Sequence, residues 1–365
     1  MMTSMHIKNF KCFKDFEVKD LGRVNLIGGQ NNIGKTALLE ALWLFFGFPK
    51  YGLTRISASR YFDSKEPFDP DEIWGGCFFG KDHASTMSIS STINAKTTLL
   101  SISWIDVFNP LENPNFQNAL AQQNPQKQFM PDANSKMLLM EYSAPADAKK
   151  QKSIWQEMFY SGTYMGLISR DNPVVPLEHS TPFLIRSNSA LPYADIKVFF
   201  EKLLEKGTEK NFIQFLQKID PRIKAVMVYK KTLMLDLEGG ILNRVPLHYL
   251  GDGLQRAMLY YLVMANLHAN FQGGVILIDE IENGLHYSIM QTVFSELEKA
   301  AKEFNCQVFA TTHSRECLQA AHEGFKDCPE DLRYIRLNRL KDDIISTVYS
   351  TEGFARSIDH EWELR

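Results

Sequence analysis

The sequence predicts an α/β protein, and three observations carry this prediction. The apolar stretch Val24–Ile27 runs into a glycine-rich loop and then into a segment with the pattern of a helix. Val275–Ile278 is apolar at every position, which is typical of a parallel strand covered on both faces. Met5–Val18 and Met87–Ile105 alternate apolar with polar residues over much of their length, which favours antiparallel strands.

The loop after the first apolar stretch has the spacing of a phosphate-binding loop, or P-loop. Residues 29–36 match G-x-x-x-x-G-K-[ST] at every fixed position. Gly29 and Gly34 allow the backbone to turn so that amide N–H groups can face phosphate oxygens. Lys35 is expected to act as a catalytic cation on the β- and γ-phosphates, and Thr36 is expected to ligate Mg²⁺. The other residues of this segment that are predicted to bind the nucleotide are Asn31, Asn32, Ile33 and Ala37.

Two further apolar strands end in side chains that suit nucleotide hydrolysis. Val275–Ile278 is followed by Asp279, which suits the Mg²⁺ shell, and by Glu280, which could polarise the attacking water as general base. The strand that includes Gln307 runs into His313, which could hold or sense the γ-phosphate. Triphosphate hydrolysis needs a phosphate cradle, a metal and a positioned water. The sequence therefore predicts ATP and Mg²⁺ as ligands of one site.

Composition limits the class of protein. The chain has 365 residues, 44% of them hydrophobic and 23% charged, as expected for a globular chain with a large core. The formal net charge of −3 gives no whole-protein basic signature for nucleic acid. Five scattered cysteines without a C-x-x-C pair argue against a zinc site or a disulfide framework. Because we find neither a signal-peptide pattern nor a membrane-length apolar run, we expect a soluble protein of the reducing cytoplasm that does not engage a membrane.

The order of these motifs resembles that of the ABC-type ATPase heads. Leu250–Arg256 (Leu-Gly-Asp-Gly-Leu-Gln-Arg) resembles their signature motif, and Glu282–His286 resembles their D-loop region. Thr312–Ser314 resembles their H-loop, and the opening Ile7–Phe13 resembles the first strand of RecF and SMC-like ATPases. The likeness is greatest to the "ATP/GTP phosphatase" group of AAA-family ATP-binding proteins, which is related to the ATPase domains of OLD-family nucleases.

This resemblance implies a P-loop NTPase fold in the form of an ABC-type ATPase head, with a mixed central sheet, an antiparallel β subdomain and a helical lobe. The likeness is carried by residues 1–50 and 210–320. We expect a single head over residues 1–365, with the Q-loop between residues 51 and 190. The head is expected to have four parts. The first two are a P-loop part at 1–50 and an inserted β or irregular part at 51–190, which includes a mobile loop at 109–136. The last two are a helical and β lobe at 191–249 and a part at 250–365 that holds the signature, the Walker B strand before Asp279 and the H-loop.

In such heads two copies sandwich two nucleotides, and the signature of one copy completes the site of the other. The resemblance therefore implies a homodimer or a higher homo-oligomer. It also implies that Gly251, Asp252 and Gly253 bind the nucleotide held by the partner copy. The motif departs from Leu-Ser-Gly-Gly-Gln, because Gly251 stands at the serine position and Asp252 at the first glycine position.

Proteins of this kind are commonly motors or switches in DNA work, including antiphage defence with a nuclease partner. The chain shows neither an appended nuclease motif nor long coiled-coil arms. We therefore expect an ATPase that regulates a separately encoded effector, a nuclease, in DNA-linked defence or repair, with DNA as a candidate partner. Two alternatives stay open. One is an ABC-type transport ATPase subunit, which the RecF-like opening and the wide interval before Asp279 disfavour; the other is an ATP-binding scaffold without significant turnover.

Overall fold

A computed structural model describes most of the chain. By number, the described residues are 1–47, 53, 71, 74–105, 136–143, 152–160, 163–170, 182–187, 193–230, 232–239, 244–341, 343–351 and 353. They divide into two compact units that interleave along the sequence. The antiparallel unit holds the described residues of Met1–Lys19, Glu40–Glu178 and Arg339–Ile345. The P-loop unit holds those of Asp20–Leu39, His179–Asn338 and Ser346–Arg365.

Strands and helices are numbered in chain order. The strands are β1 (Met2–Phe10), β2 (Phe13–Lys19), β3 (Val24–Gly29), β4 (Met87–Ile93), β5 (Lys96–Ile105), β6 (Lys136–Ser143), β7 (Lys152–Tyr160), β8 (Thr163–Arg170), β9 (Phe183–Ile185), β10 (Ile223–Tyr229), β11 (Thr232–Leu237), β12 (Arg244–Pro246), β13 (Gly274–Ile278), β14 (Cys306–Thr311), β15 (Leu332–Leu340) and β16 (Asp343–Ser350). The helices are α1 (Lys35–Gly47), α2 (Tyr193–Lys206), α3 (Glu209–Ile219), α4 (Asp252–Phe271), α5 (Tyr287–Glu303) and α6 (Arg315–Gly324).

A seven-stranded sheet organises the antiparallel unit. Its order is β2-β1-β4-β5-β6-β7-β8, and each adjacent pair is antiparallel. The antiparallel strands predicted within Met5–Val18 and Met87–Ile105 are confirmed, and alternate residues of β4 are buried. Sequence periodicity did not identify β6, β7 and β8. The predicted mobile loop at 109–136 lies outside the described residues, except that Lys136 begins β6.

Most residues of a six-stranded sheet, in the order β16-β15-β3-β14-β13-β9, belong to the P-loop unit. The four pairs from β15 to β9 are parallel. Only two residues separate β15 from β16, and so short a connection joins antiparallel neighbours, so the sheet is mixed as predicted. Every residue of β3 and β14 is buried, which explains why these strands do not alternate. The edge strand β9 was missed because three residues carry no periodicity.

Helices cover this sheet and complete the core of the P-loop unit. The range 191–249, for which a helical and β lobe is expected, contains the helices α2 and α3. It also contains the three-stranded antiparallel sheet β10-β11-β12. α4 is buried over most of its length, and its side chains join those of β3, β13 and β14 in one hydrophobic core. None of the helices among the described residues combines the length and apolar content needed to span a membrane.

Parallel pairing positions the candidate site. β3 and β13 both pair with β14, and all three strands run in the same direction. Their carboxyl ends therefore meet at one edge of the sheet, which is where open α/β sheets bind ligands. The P-loop follows β3, Asp279 follows β13, and Thr311 is the last residue of β14.

Candidate nucleotide site

The P-loop has a backbone that requires glycine. Gly29 and Gly34 have φ values of +136° and +108°. A Cβ at Gly29 would lie 2.6 Å from the carbonyl oxygen of Leu337, so a side chain has no room at this position. Asn32 is also left-handed, with φ of 60°, a conformation that asparagine tolerates better than most residues. The loop is therefore held in a tight turn between β3 and α1.

The start of α1 supplies donors for an anion. The amide of Leu38 donates to the carbonyl of Gly34 at 2.9 Å, which is the first hydrogen bond of the helix. The amides of Lys35, Thr36 and Ala37 precede it, and amides in the first turn have no acceptor within their own helix. Together with the helix dipole, they suit a phosphate group. This part of the chain therefore fits the triphosphate that the sequence predicts.

The other residues predicted to bind the nucleotide differ in how exposed their side chains are. Asn31 and Asn32 are exposed, whereas the side chains of Ile33 and Ala37 are buried. Ile33 packs close to Gly29, since its Cγ2 atom would lie 3.1 Å from a Cβ at that glycine. Ile33 and Ala37 can consequently contribute only backbone groups to a nucleotide, while the two asparagines can contribute side chains.

Lys35 is buried and already oriented along the loop. Its Nζ atom donates to the carbonyl oxygens of Gly29 at 2.8 Å and Gln30 at 2.9 Å. Since an ammonium group has three hydrogens, one donor remains for a phosphate oxygen. Burial lowers the pKa of Lys35 below its ordinary value, and the carboxylates of Asp279, Glu282 and Glu280 act in the opposite direction. A bound phosphate would add further negative charge and favour the charged lysine.

Thr36 and Asp279 form a candidate Mg²⁺ site. The Oγ1 atom of Thr36 lies 3.4 Å from Oδ1 of Asp279. Adjacent ligands of an octahedral Mg²⁺ lie about 3 Å apart, because each is 2.0–2.1 Å from the ion, so the pair needs little movement to share one. Hydroxyl and carboxylate oxygens are also the donors that Mg²⁺ prefers. The amide of Asp279 donates to the carbonyl of Ile185 at 2.8 Å, which anchors this residue to β9.

Glu280 and His313 face each other beside this pair. The Oε1 atom of Glu280 lies 3.7 Å from Nε2 of His313, and both side chains are partly exposed. The amide of His313 donates to Oε1 of Glu282 at 2.7 Å, which connects the end of β14 to the D-loop region. Partial exposure leaves room for water next to the Glu280 carboxylate. The structure thus brings together the P-loop, Asp279, Glu280 and His313, which are far apart in sequence.

The predicted signature residues lie at the start of α4. Gly251 precedes the helix as its N-cap residue, and both Gly251 and Asp252 are exposed. Gly253 is buried, and a Cβ there would lie 2.9 Å from the carbonyl oxygen of Gly284. The signature therefore packs against the D-loop region through Gly253, while Gly251 and Asp252 face solvent.

Thr311 is a site residue that sequence reasoning missed. Its Oγ1 atom donates to Oδ1 of Asp279 at 2.8 Å and accepts from the amide of Glu280 at 2.8 Å. A polar side chain as the last residue of a fully buried strand was the available signal. It could be interpreted only with the knowledge that β14 lies beside β13.

The chain is similar to a family of ATPase domains and to several individual proteins. The family model described as AAA ATPase domain matches residues 1–174 and 176–318. A Helicobacter pylori (strain 26695) protein named "ATP/GTP phosphatase" is 27% identical over 377 residues, with 100% of both chains covered. Among solved structures, an SMC head bound to the C-winged helix domain of ScpA is 12% identical with a TM-score of 0.49, covering 96% of this chain and 98% of that one. A Pyrococcus furiosus SMC head with an extended coiled coil is 11% identical with a TM-score of 0.48, covering 99% of each chain.

Proposed function

This chain belongs to the AAA ATPase domain family and is an ATPase, and on that premise we propose that it binds Mg²⁺·ATP at the P-loop and hydrolyses it to ADP and phosphate. The observation that carries the proposal is the convergence on one sheet edge of a phosphate cradle, a metal-ligand pair and a partly exposed carboxylate. The pair is Thr36 and Asp279, with 3.4 Å between their oxygens, and the carboxylate is that of Glu280.

Each side chain has a distinct part in the proposed reaction. Lys35 binds the β- and γ-phosphates through its remaining ammonium hydrogen. Thr36 and Asp279 would hold Mg²⁺, which supplies neutralisation of charge on the β- and γ-phosphate oxygens. Glu280 takes a proton from the attacking water as that oxygen bonds to the γ-phosphorus and the bond to ADP breaks. His313, adjacent to Glu280, donates to the γ-phosphate.

The Glu280→Gln variant tests this assignment, because it keeps the size of the side chain and removes the base. We expect it to bind ATP with nearly wild-type affinity and to hydrolyse ATP about 10²- to 10⁴-fold more slowly. Binding is measured by calorimetry and turnover by phosphate release. Equal hydrolysis by the variant and the wild type would remove Glu280 from its role. Tight ATP binding without turnover by the wild type would favour the scaffold alternative.

We further propose that ATP joins two copies of the chain through the signature. Gly251 and Asp252 are exposed, and two large aromatic side chains, Tyr249 and Tyr287, are 75% and 72% exposed in the same unit. A second copy would cover these residues and bring Gly251, Asp252 and Gly253 to its own nucleotide. The mass in solution of Glu280→Gln with ATP tests the proposal, and a strict monomer would count against it. Tyr287→Arg is expected to lower the dimer fraction without loss of ATP binding.

The biological role that we propose is regulation of a separately encoded effector, a nuclease, in DNA-linked defence or repair. This role is supported by the resemblance of the motifs to those of DNA-related ATPases, and the geometry of the site does not bear on it. Isolation of Glu280→Gln from its native cell with ATP bound would identify the partner. Recovery of a nuclease supports the proposal, whereas recovery of a membrane permease favours the transport alternative. Salt-dependent DNA binding would add DNA to the partners.

A further inference from the structure

We propose that Thr311 is a positioning residue that holds the metal ligand Asp279 and the base Glu280 in register through one hydroxyl group. The proposal rests on the proposed ATPase function of the same site. It assigns Thr311 no direct contact with the nucleotide; the threonine acts through the two carboxylate residues that follow β13.

Three hydrogen bonds connect Thr311 to the end of β13. Its Oγ1 atom donates to Oδ1 of Asp279 at 2.8 Å and accepts from the amide of Glu280 at 2.8 Å. Its backbone carbonyl accepts from the amide of Ile281 at 3.0 Å. Thr311 is 1% exposed, so water cannot readily replace these bonds. One residue of β14 thus binds three consecutive residues of the neighbouring chain segment.

The direction of the bonds gives the hydroxyl a defined role. A hydroxyl has a single hydrogen, and here the Glu280 amide occupies an acceptor site on the oxygen, so that hydrogen points to Asp279. The Oδ1 atom of Asp279 is therefore the acceptor of this bond, and carboxylate oxygens are ligands that Mg²⁺ prefers. The same Oδ1 atom lies 3.4 Å from Oγ1 of Thr36, so Thr311 fixes the carboxylate that faces the metal-ligand hydroxyl.

Glu280 needs this support because its backbone is unusual. Its φ of 54° is left-handed, a conformation that L-residues other than glycine, asparagine and aspartate seldom adopt. The amides on both sides of its Cα atom are bound by Thr311, one by the hydroxyl and one by the carbonyl. Loss of the hydroxyl would release the amide that fixes φ and let the Glu280 side chain leave its position 3.7 Å from His313. Strained residues persist at functional sites only when the surroundings over-determine them.

The test compares Thr311→Val, which keeps the shape and loses the hydroxyl, with Thr311→Ser, which keeps the hydroxyl. We expect Thr311→Val to lower kcat about 30-fold, which corresponds to about 2 kcal/mol at 1.36 kcal/mol per tenfold change. We also expect it to weaken Mn²⁺ binding to the ATP complex about tenfold, measured by electron paramagnetic resonance, with ATP affinity in EDTA unchanged. Thr311→Ser should remain within about threefold of the wild type in kcat and in Mn²⁺ affinity.

Two controls separate positioning from stability. Thr351→Val removes another buried hydroxyl of the same unit, which donates to the carbonyl of Pro329, and should leave kcat and Mn²⁺ affinity unchanged. If Thr311→Val does not fold, Thr311→Ala and Thr311→Ser form a second pair that differs only in the hydroxyl. Wild-type kcat and metal affinity in Thr311→Val, or equal losses in the alanine and serine variants, would overturn the proposal. If the wild type does not hydrolyse ATP, the proposed function fails, and the Mn²⁺ affinities still decide the role of Thr311.

Discussion

The two large sheets of this protein distribute their polar side chains in different ways. In strands β1 and β2 of the antiparallel sheet, exposed charged residues pair across the two strands, as Lys8 does with Asp15 at 3.4 Å. In the parallel part of the other sheet, every residue of β3 and β14 is buried. The polar side chains of the candidate nucleotide site lie at the carboxyl ends of these strands and of β13. The carboxyl ends of parallel strands all lie at one edge of the sheet, whereas those of antiparallel neighbours lie at opposite edges. Strand direction thus decides which sheet can assemble a site.

Truncation of a leucine should have the largest effect on the free energy of unfolding, and this effect should depend on the sheet. Leu277 in β13 is 0% exposed, whereas Leu99 in β5 is 39% exposed. We expect Leu277→Ala to lower the free energy of unfolding by about 2–5 kcal/mol, because it leaves a cavity in a core covered on both faces. Leu99→Ala should cost under about 0.5 kcal/mol. Urea unfolding measures both, and equal losses would contradict the contrast.

Replacement of a lysine should lower ATP affinity at the parallel sheet and leave it unchanged at the antiparallel sheet. Lys35→Ala deletes a buried ammonium that binds two loop carbonyls and can bind phosphate. We expect ATP affinity to fall about 100-fold or more, since hydrogen bonds to charged groups contribute about 1.5–3 kcal/mol each.

Lys8→Ala is the matched control, because its ion pair with Asp15 is exposed and such pairs contribute about 0–1 kcal/mol. Calorimetry with ATP should give Lys8→Ala an affinity within about twofold of the wild type. Retention of ATP binding by Lys35→Ala, or loss of it in Lys8→Ala, would contradict the assignment of the phosphate site to the parallel sheet.

Alkaline pH should act on both sheets, with an effect that is small near pH 9 and grows as pH rises. Burial raises the pKa of Cys306 in β14 from 9.0 to about 12, and burial raises the pKa of Tyr142 in β6 from 10.0 to about 12. Folding favours the protonated form of each group, so its contribution to stability is complete below the ordinary pKa and is lost as pH rises toward about 12.

Unfolding by urea between pH 8 and 11 measures this loss. Cys306→Ala should reduce the decline in stability that begins near pH 9.0, whereas Tyr142→Phe should reduce it only above pH 10.0. Unchanged slopes in both variants would mean that these groups are not buried as described.

Much of the site could be predicted from the sequence because its signals are local. The glycines of the P-loop, Lys35 and Thr36 stand at fixed spacings, and Asp279 follows an uninterrupted apolar strand. The part that could not be predicted depends on which strands are neighbours. Thr311 gains its role only because β14 lies beside β13, and the left-handed backbone of Glu280 is held by hydrogen bonds to Thr311.

Prediction of the fold also depended on whether the sequence signal was local. The strands within Met5–Val18 and Met87–Ile105 were identified by their alternation, and β3 and β13 by their largely apolar sequences. The short strand β9 was missed, although its last residue, Ile185, anchors the amide of Asp279. Three residues in an extended conformation carry no periodicity, so only the pairing with β13 reveals this strand.

The most direct test of the central claim is the position of a bound metal. Crystals of the Glu280→Gln variant grown with Mn²⁺ and ATP would locate the ion by anomalous scattering. We predict an ion within about 2.2 Å of Oγ1 of Thr36, next to the Asp279 carboxylate, with the γ-phosphate between Lys35 and residue 280. An ion and a triphosphate bound elsewhere, with the Thr36 hydroxyl still bonded to Asp279, would contradict it.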